Sequence, residues 1–216
     1  MLVLASTSPF RAQLLTHAGI AFTAVSPGVE EVAAAGLSPK ALALDFARQK
    51  ALAVAARYPD SLVLGADQTL EFQGKLLRKP KGRDDARESL RCLSGQTHAL
   101  HSAICLCRQQ PRALKTAVAT VRLRMRSLSE SEIEAYLDTG EWQGCAGGYR
   151  VESRGLALFE SICGDYHAII GLPMLRLLRL LRAFDLNPLI EPNASNVAAA
   201  PVAPDVAPKL VPPVQR

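Results

Sequence analysis

MLVLASTSPFR, residues 1–11, sets the architecture from which the rest of the chain can be read. Leu2, Val3 and Leu4 form a short apolar run of the kind that fills a buried strand. The run breaks at Ser6, Thr7 and Ser8, and Pro9 then opens a helical pattern carrying Leu14 and Leu15 and closing at Ala18-Gly19. Proline suits the first turn of a helix and serine suits its N-cap. A buried strand feeding a capped helix gathers free backbone N–H groups, the hydroxyls of Ser6 and Ser8 and the guanidinium of Arg11 near one point. That grouping suits an anion, a phosphate above all. The same residues also fit an ordinary capped helix with a surface arginine.

Working outward, the pattern repeats. Strands are expected at 2–5, 21–25 and 61–66, with helices at 8–18 and from Ser38-Pro39 to about Tyr58-Pro59. A loop with Glu30 and Glu31 follows the second strand. The third strand is expected to end at Asp67-Gln68, before a hairpin at Gln73-Gly74 and a second arm closed by Lys79-Pro80. A helix is expected at 83–93, then two long strands at 97–108 and 113–126. The second of these alternates Val121, Leu123 and Met125 with Arg122, Arg124 and Arg126, as in a half-buried antiparallel strand. Ser129 and Glu132 make a capping box for a helix at 130–138. A glycine-rich loop, GCAGGYR, spans 144–150. Short strands are expected at 155–160 and 165–170, and a last helix runs from Gly171-Leu172-Pro173 to about Phe184. This order predicts an α/β or α+β fold with a mixed sheet, and a cleft at the strand ends near 5–8 and 66–68.

Composition narrows the function classes. Of 216 residues 49% are apolar, enough for a sizeable core, whereas 5% aromatic content leaves few stacking platforms for single-stranded nucleic acid. The net charge of +5 suits an anionic ligand, and no dense Lys/Arg run marks a nucleic-acid arm. The stripe of Arg122, Arg124 and Arg126 reads as a solvated face. No apolar stretch approaches the roughly 20 residues of a membrane span, and no secretory signal is expected at the start. Cys92, Cys105, Cys107, Cys145 and Cys163 read as reduced thiols of a cytoplasmic protein; Cys105 and Cys107, on one face of a strand, are poorly placed for tetrahedral zinc. After Asn187 the composition changes: seven of the 14 prolines fall in the last 29 residues. Residues 1–187 are therefore expected to be the folded domain and 188–216 a disordered Pro/Ala-rich tail.

Several residues could carry chemistry together. Hydrolysis of a phosphoanhydride needs cations on the phosphates, carboxylates for a divalent metal and a base for water. Arg11, Lys50 and Lys79 could clamp; Glu31 and Asp67 could hold metal or act as base. A dyad of Ser6 or Ser8 with His98, His101 or His167 is the nucleophilic alternative, without the G-x-S-x-G elbow such sites often use. There is no Walker A loop and no G-x-G-x-x-G fingerprint.

Read in order, LASTSPFRAQLL, Glu31, FARQKA around Lys50, LGADQT around Asp67, RKP at Lys79, LSGQTH at 93–98, TGEWQGCAGGYRVES at 139–153 and GDYHAIIGLPM at 164–174 resemble the Maf family of nucleoside triphosphate pyrophosphatases, also described as septum formation inhibitors. The resemblance runs from Leu2 to about Asn187. It implies a mixed twisted sheet flanked by helices, two lobes around a cleft, a possible homodimer, and Mg²⁺- or Mn²⁺-dependent cleavage of a nucleoside triphosphate to monophosphate and pyrophosphate. By position, Ser6, Ser8, Arg11, Lys50 and Lys79 would bind substrate phosphates, Glu31 and Asp67 the metal, and Asp67 would accept the proton of water. Phe10 departs from the Ser-Pro-Arg-Arg start common in the family. Gln68 and Glu152 resemble the branch that acts on 7-methyl-GTP, and Glu152 could accept hydrogen bonds from a guanine edge or attract a cationic methylated base. The competing reading is a nucleotide-responsive regulator of cell division with little or no turnover.

Overall fold

The computed structural model describes residues 1–30, 32, 34 and 36–190. Glu31 and the tail from residue 191 lie outside the described residues.

Strand β1 (Leu2–Ala5) is buried throughout, and helix α1 (Pro9–His17) follows it. Ser8 caps α1, its side chain accepting from the Arg11 N–H. β2 (Thr23–Val25) pairs parallel to β1. The long helix α2 (Pro39–Ala55) starts the same way, with Ser38 accepting from the Ala41 N–H. β3 (Leu62–Phe72) and β4 (Lys75–Leu77) form the expected hairpin. Gln73 and Gly74 both have positive φ, 50° and 74°, as a two-residue turn matching strand twist requires. α3 (Arg83–Leu93), β5 (Thr97–Arg108), β6 (Ala113–Met125) and α4 (Glu130–Leu137) follow the sequence reading, and the Ser129/Glu132 capping box is present.

Three expectations are corrected. β3 does not end at Asp67-Gln68; it continues to Phe72, because β5 pairs with it from Val63 to Glu71. The segment expected as a strand at 155–160 is a 3₁₀ turn, Arg154–Leu158, followed by β7 (Phe159–Cys163). The segment at 165–170 is helix α5 (Tyr166–Ile170), because Asp165 caps it by accepting from the His167 N–H. α6 (Met174–Arg182) closes the described fold.

The sheet order is β2-β1-β3-β5-β6-β7, with β4 also on β3. β1 lies parallel to β2 and β3, and the remaining pairs are antiparallel. Helix α2 covers one face through Ala43, Ala47, Ala51 and Val54. Helices α1 and α6 cover the other face over β1 and the first half of β3. A separate cluster gathers α3, α4 and Tyr149 of the glycine-rich loop over Leu70, Leu100 and Leu123. β3 runs through both lobes. Gly65 lets α2 press close upon it: a Cβ there would lie 2.2 Å from the Ala47 carbonyl oxygen and 2.6 Å from the Ala51 nitrogen.

One consequence of this topology positions the site. β1 ends at Ala5, opposite Gly65, and β4 begins pairing only at Leu70. Residues 66–69 of β3 therefore have no strand neighbour on that edge among the described residues.

Candidate active site

The open edge of β3 is the floor of a cleft of about 510 Å³. Ser6, Ser8, Arg11, Lys50, Asp67, Gln68, Lys79 and Glu152 all line it. Glu31, expected to share the metal site, lies outside the described residues.

Each side chain is placed by its element. Successive residues of a strand point to opposite faces. Asp67 accordingly meets α2, where Lys50 Nζ donates to its Oδ1 at 2.6 Å with both groups buried. Lys50 can reach it because Ala47 and Ala51 bring α2 down onto Gly65. Gln68 turns to the other face, where its Nε2 donates to the carbonyls of Ala168 at 2.8 Å and Ile169 at 2.9 Å. These lie in the last turn of α5, where carbonyls have no intrahelical partner. Gln68 thus ties β3 to α5 as well as lining the cleft.

Arg11 joins three segments. Its Nη1 donates to Ser6 Oγ and to the Ala66 carbonyl, each at 3.0 Å, and its Nε donates to the Gly171 carbonyl at 3.2 Å. A guanidinium therefore caps the Ala66 carbonyl that no strand takes up. Ser6 Oγ also accepts from the Ser8 N–H at 3.2 Å, so the two serines shape the loop between β1 and α1. Lys79 projects from the exposed stretch after β4.

The opposite wall is the glycine-rich loop, with Tyr149, Arg150 and Glu152. Tyr149 is locked from behind: its hydroxyl lies 2.6 Å from His98 Nε2 and its ring packs edge-on to Phe159. Burial pushes His98 down to about 4 and Tyr149 up from its ordinary value. Burial also raises Glu152, whose side chain is 24% exposed and whose Oε1 lies 3.8 Å from Arg150 Nε. Arg150, absent from the sequence reading, sits over the Phe10 ring with Cζ 5.1 Å from the centroid. Its place two residues before Glu152 was the available signal.

The serine–histidine alternative does not form. His98 engages Tyr149; His101 engages Thr120 at 2.9 Å and Glu71 at 3.0 Å; His167 lies 3.6 Å from Asp165. Among the described residues there is no group of three His, Cys, Asp or Glu side chains placed to hold a metal, and no helix long and apolar enough to cross a membrane. In the arginine stripe, Arg124 pairs with Glu160 and Arg126 with Glu132, as on a solvated face.

Several known proteins are similar to this chain. A nucleoside triphosphate pyrophosphatase of Nitrobacter hamburgensis is 45% identical over 188 residues, covering 84% of this chain and 93% of the relative. Its namesake in Rhodopseudomonas palustris is 47% identical over 188 residues, with 84% and 92% covered. A 7-methyl-GTP pyrophosphatase of Bordetella pertussis is 42% identical over 189 residues, with 87% and 94% covered. A fainter structural likeness, TM-score 0.42 at 15% identity over 57% of this chain and 71% of the other, is to the Staphylococcus aureus Ham1 protein. The family model described as Maf-like protein matches residues 1–184, the span that runs from β1 to the end of the α6 core. The chain belongs to the Maf-like protein family.

Proposed function

We propose that this protein is a nucleoside triphosphate pyrophosphatase, cleaving between the α and β phosphates to release a monophosphate and pyrophosphate. The observation that carries the reading is the buried Lys50–Asp67 pair on the floor of a cleft walled by Arg11, Lys79 and Arg150. A site that binds a polyphosphate without a metal ion has no need of a carboxylate among its cations, because it would repel the ligand. A hydrolase needs one, to take a proton from water.

In this reading the triphosphate lies along the open edge of β3. Arg11 and Lys79 neutralise phosphate oxygens, and Lys50 turns from Asp67 to share that charge. Asp67 accepts a proton from water as the oxygen bonds to the α-phosphorus; the bond to the bridging oxygen breaks and pyrophosphate leaves with the electron pair. Mg²⁺ or Mn²⁺ fits the donor chemistry, since such ions are commonly held by one or two carboxylates together with substrate phosphates. Asp67, with Glu31, would hold the ion, which when bound would polarise the phosphates.

Glu152 supports a modified purine as the favoured base. Its carboxylate can accept from the N1–H and amino group of guanine and attracts a cationic 7-methylguanine. The relatives named for nucleoside triphosphates generally and for 7-methyl-GTP are about equally similar to this chain, so base choice rests on the cleft residues.

The test is pyrophosphate and monophosphate release from UTP, dTTP, CTP, GTP and 7-methyl-GTP with Mg²⁺ or Mn²⁺. Asp67→Asn is expected to lower kcat by about 10²–10⁴, and to lower Tm as well because it removes the carboxylate of a buried ion pair. Binding without release by the wild type would favour the regulatory reading. Equal turnover of UTP and 7-methyl-GTP would remove the base preference.

A further inference from the structure

We propose that Arg150 is a phosphate-binding residue of this cleft and that Phe10 is the positioning residue that holds its guanidinium in place. The inference rests on the pyrophosphatase reading for the identity of the natural ligand, though not for the presence of an anion site.

Phe10 is the second residue of α1 and is half-buried at the cleft. α1 belongs to the lobe packed on β1 and the first half of β3, whereas Tyr149 and Val151, which flank Arg150, belong to the other core. The contact between Phe10 and Arg150 therefore spans the cleft. At 5.1 Å from the ring centroid, the guanidinium is inside the roughly 6 Å range of cation–π attraction. The Arg150 backbone is fixed as well, its N–H donating to the Tyr136 hydroxyl at 2.9 Å. Backbone and side chain are thus both held before any ligand arrives, which reduces the ordering cost of binding.

The side chain is held while only partly satisfied, by the Cys145 thiol and a loose pairing with Glu152. Nε is buried and has no hydrogen-bond partner among the described residues. The nearest carboxylate oxygen, from Glu152, is 3.8 Å away, beyond hydrogen-bond reach. A buried donor left unpaired is costly, and a ligand oxygen would relieve it. Yet the side chain keeps 32% exposure, so its fork is reachable from the cleft. Arginine offers five donors and no acceptor, and its planar fork matches two oxygens of one phosphate. Phosphate is the chemistry that answers each of these features, and Arg150 would approach it from the wall opposite Arg11.

Calorimetric binding of inorganic tripolyphosphate tests this without a base and without turnover. Arg150→Ala is expected to weaken binding tenfold or more, and Arg150→Lys, which keeps charge and stem but loses the fork, to fall between. Phe10→Leu, which keeps apolar bulk and removes the ring face, is expected to weaken binding several-fold. The double variant Phe10→Leu/Arg150→Ala should bind no more weakly than Arg150→Ala alone, because the ring acts through the guanidinium. Additive losses would overturn the role of Phe10. Arg150→Ala and Arg150→Lys binding within twofold of wild type, or no binding by wild type, would overturn the assignment of Arg150. If wild type hydrolyses nucleotides while Arg150→Ala binds tripolyphosphate normally, the present inference alone fails. If wild type hydrolyses no nucleotide while Arg150→Ala loses tripolyphosphate, the hydrolase reading alone fails.

Discussion

His98 is 3% exposed, with Nε2 on the Tyr149 hydroxyl and Nδ1 buried without a partner among the described residues. Its proton affinity is pushed down to about 4 by burial, against about 6.5 in an unfolded chain. Between those values the unfolded chain takes up a proton that the native state does not, so stability falls as pH drops from 6.5 towards 4. The full difference corresponds to roughly 3 kcal/mol. Melting temperature measured from pH 7.5 to 4 should therefore fall more steeply for wild type than for His98→Gln, which cannot titrate; equal slopes would contradict this assignment. Residue chemistry of this kind is only partly legible in the sequence. Asp67, Lys50 and Arg11 could be singled out because charged groups beside apolar strands and capped helices are few. Arg150 is signalled only by its place two residues before Glu152, because its meaning depends on Phe10, which is distant in the chain and meets it only in the fold. Nor does the sequence reveal that the Gln68 amide nitrogen is committed to Ala168 and Ile169.

At the scale of elements, the site depends on how closely α2 approaches β3. The approach is fixed by Gly65, where even one added methyl group collides with helix backbone rather than with a movable side chain. Gly65→Ala is expected to lift α2 and pull Lys50 from Asp67. Overpacking of this kind costs about 2–3 kcal/mol, which in a domain of this size lowers Tm by roughly 5–10 °C. It should also lower kcat, a double effect that thermal melting and an activity assay on one preparation would reveal. Gly82→Ala, where nothing lies within 4 Å of the added Cβ but the N-cap of α3 changes, serves as the control: it should lower Tm by no more than a few degrees and leave kcat unchanged. Caps, periodicity and turn residues made most elements legible: Ser8, Ser38 and Ser129 each cap the helix expected of them. The region from 154 to 170 was not legible, because its apolar residues occur in runs too short to separate strand from helix. There the Asp165 cap and the pairing of β7 with β6 decide the outcome. The continuation of β3 past Asp67 was likewise hidden, since it depends on β5 pairing through Glu71.

For the whole molecule, the buried clusters end with Phe184, and Leu186 packs against the same core; Leu189 and Ile190 are exposed. The family match stops at residue 184. A protein ending at residue 190 is therefore expected to keep its turnover and to melt within about 1 °C of the full chain, by scanning calorimetry, because the described core is complete before that point. A larger drop would mean that the proline-rich segment contributes to the fold. The cleft also alters the usual hazard of a sheet. An unpaired strand edge invites another strand to add to it, the route to self-association. Here the stretch unpaired among the described residues spans 66–69, stopped by β1 on one side and β4 on the other. Arg11 takes up the Ala66 carbonyl within it. A nucleotide can enter sideways, but an incoming strand would meet two blunt ends and a guanidinium. The protein can thus leave its reactive edge permanently accessible to a small anion without offering a template for aggregation.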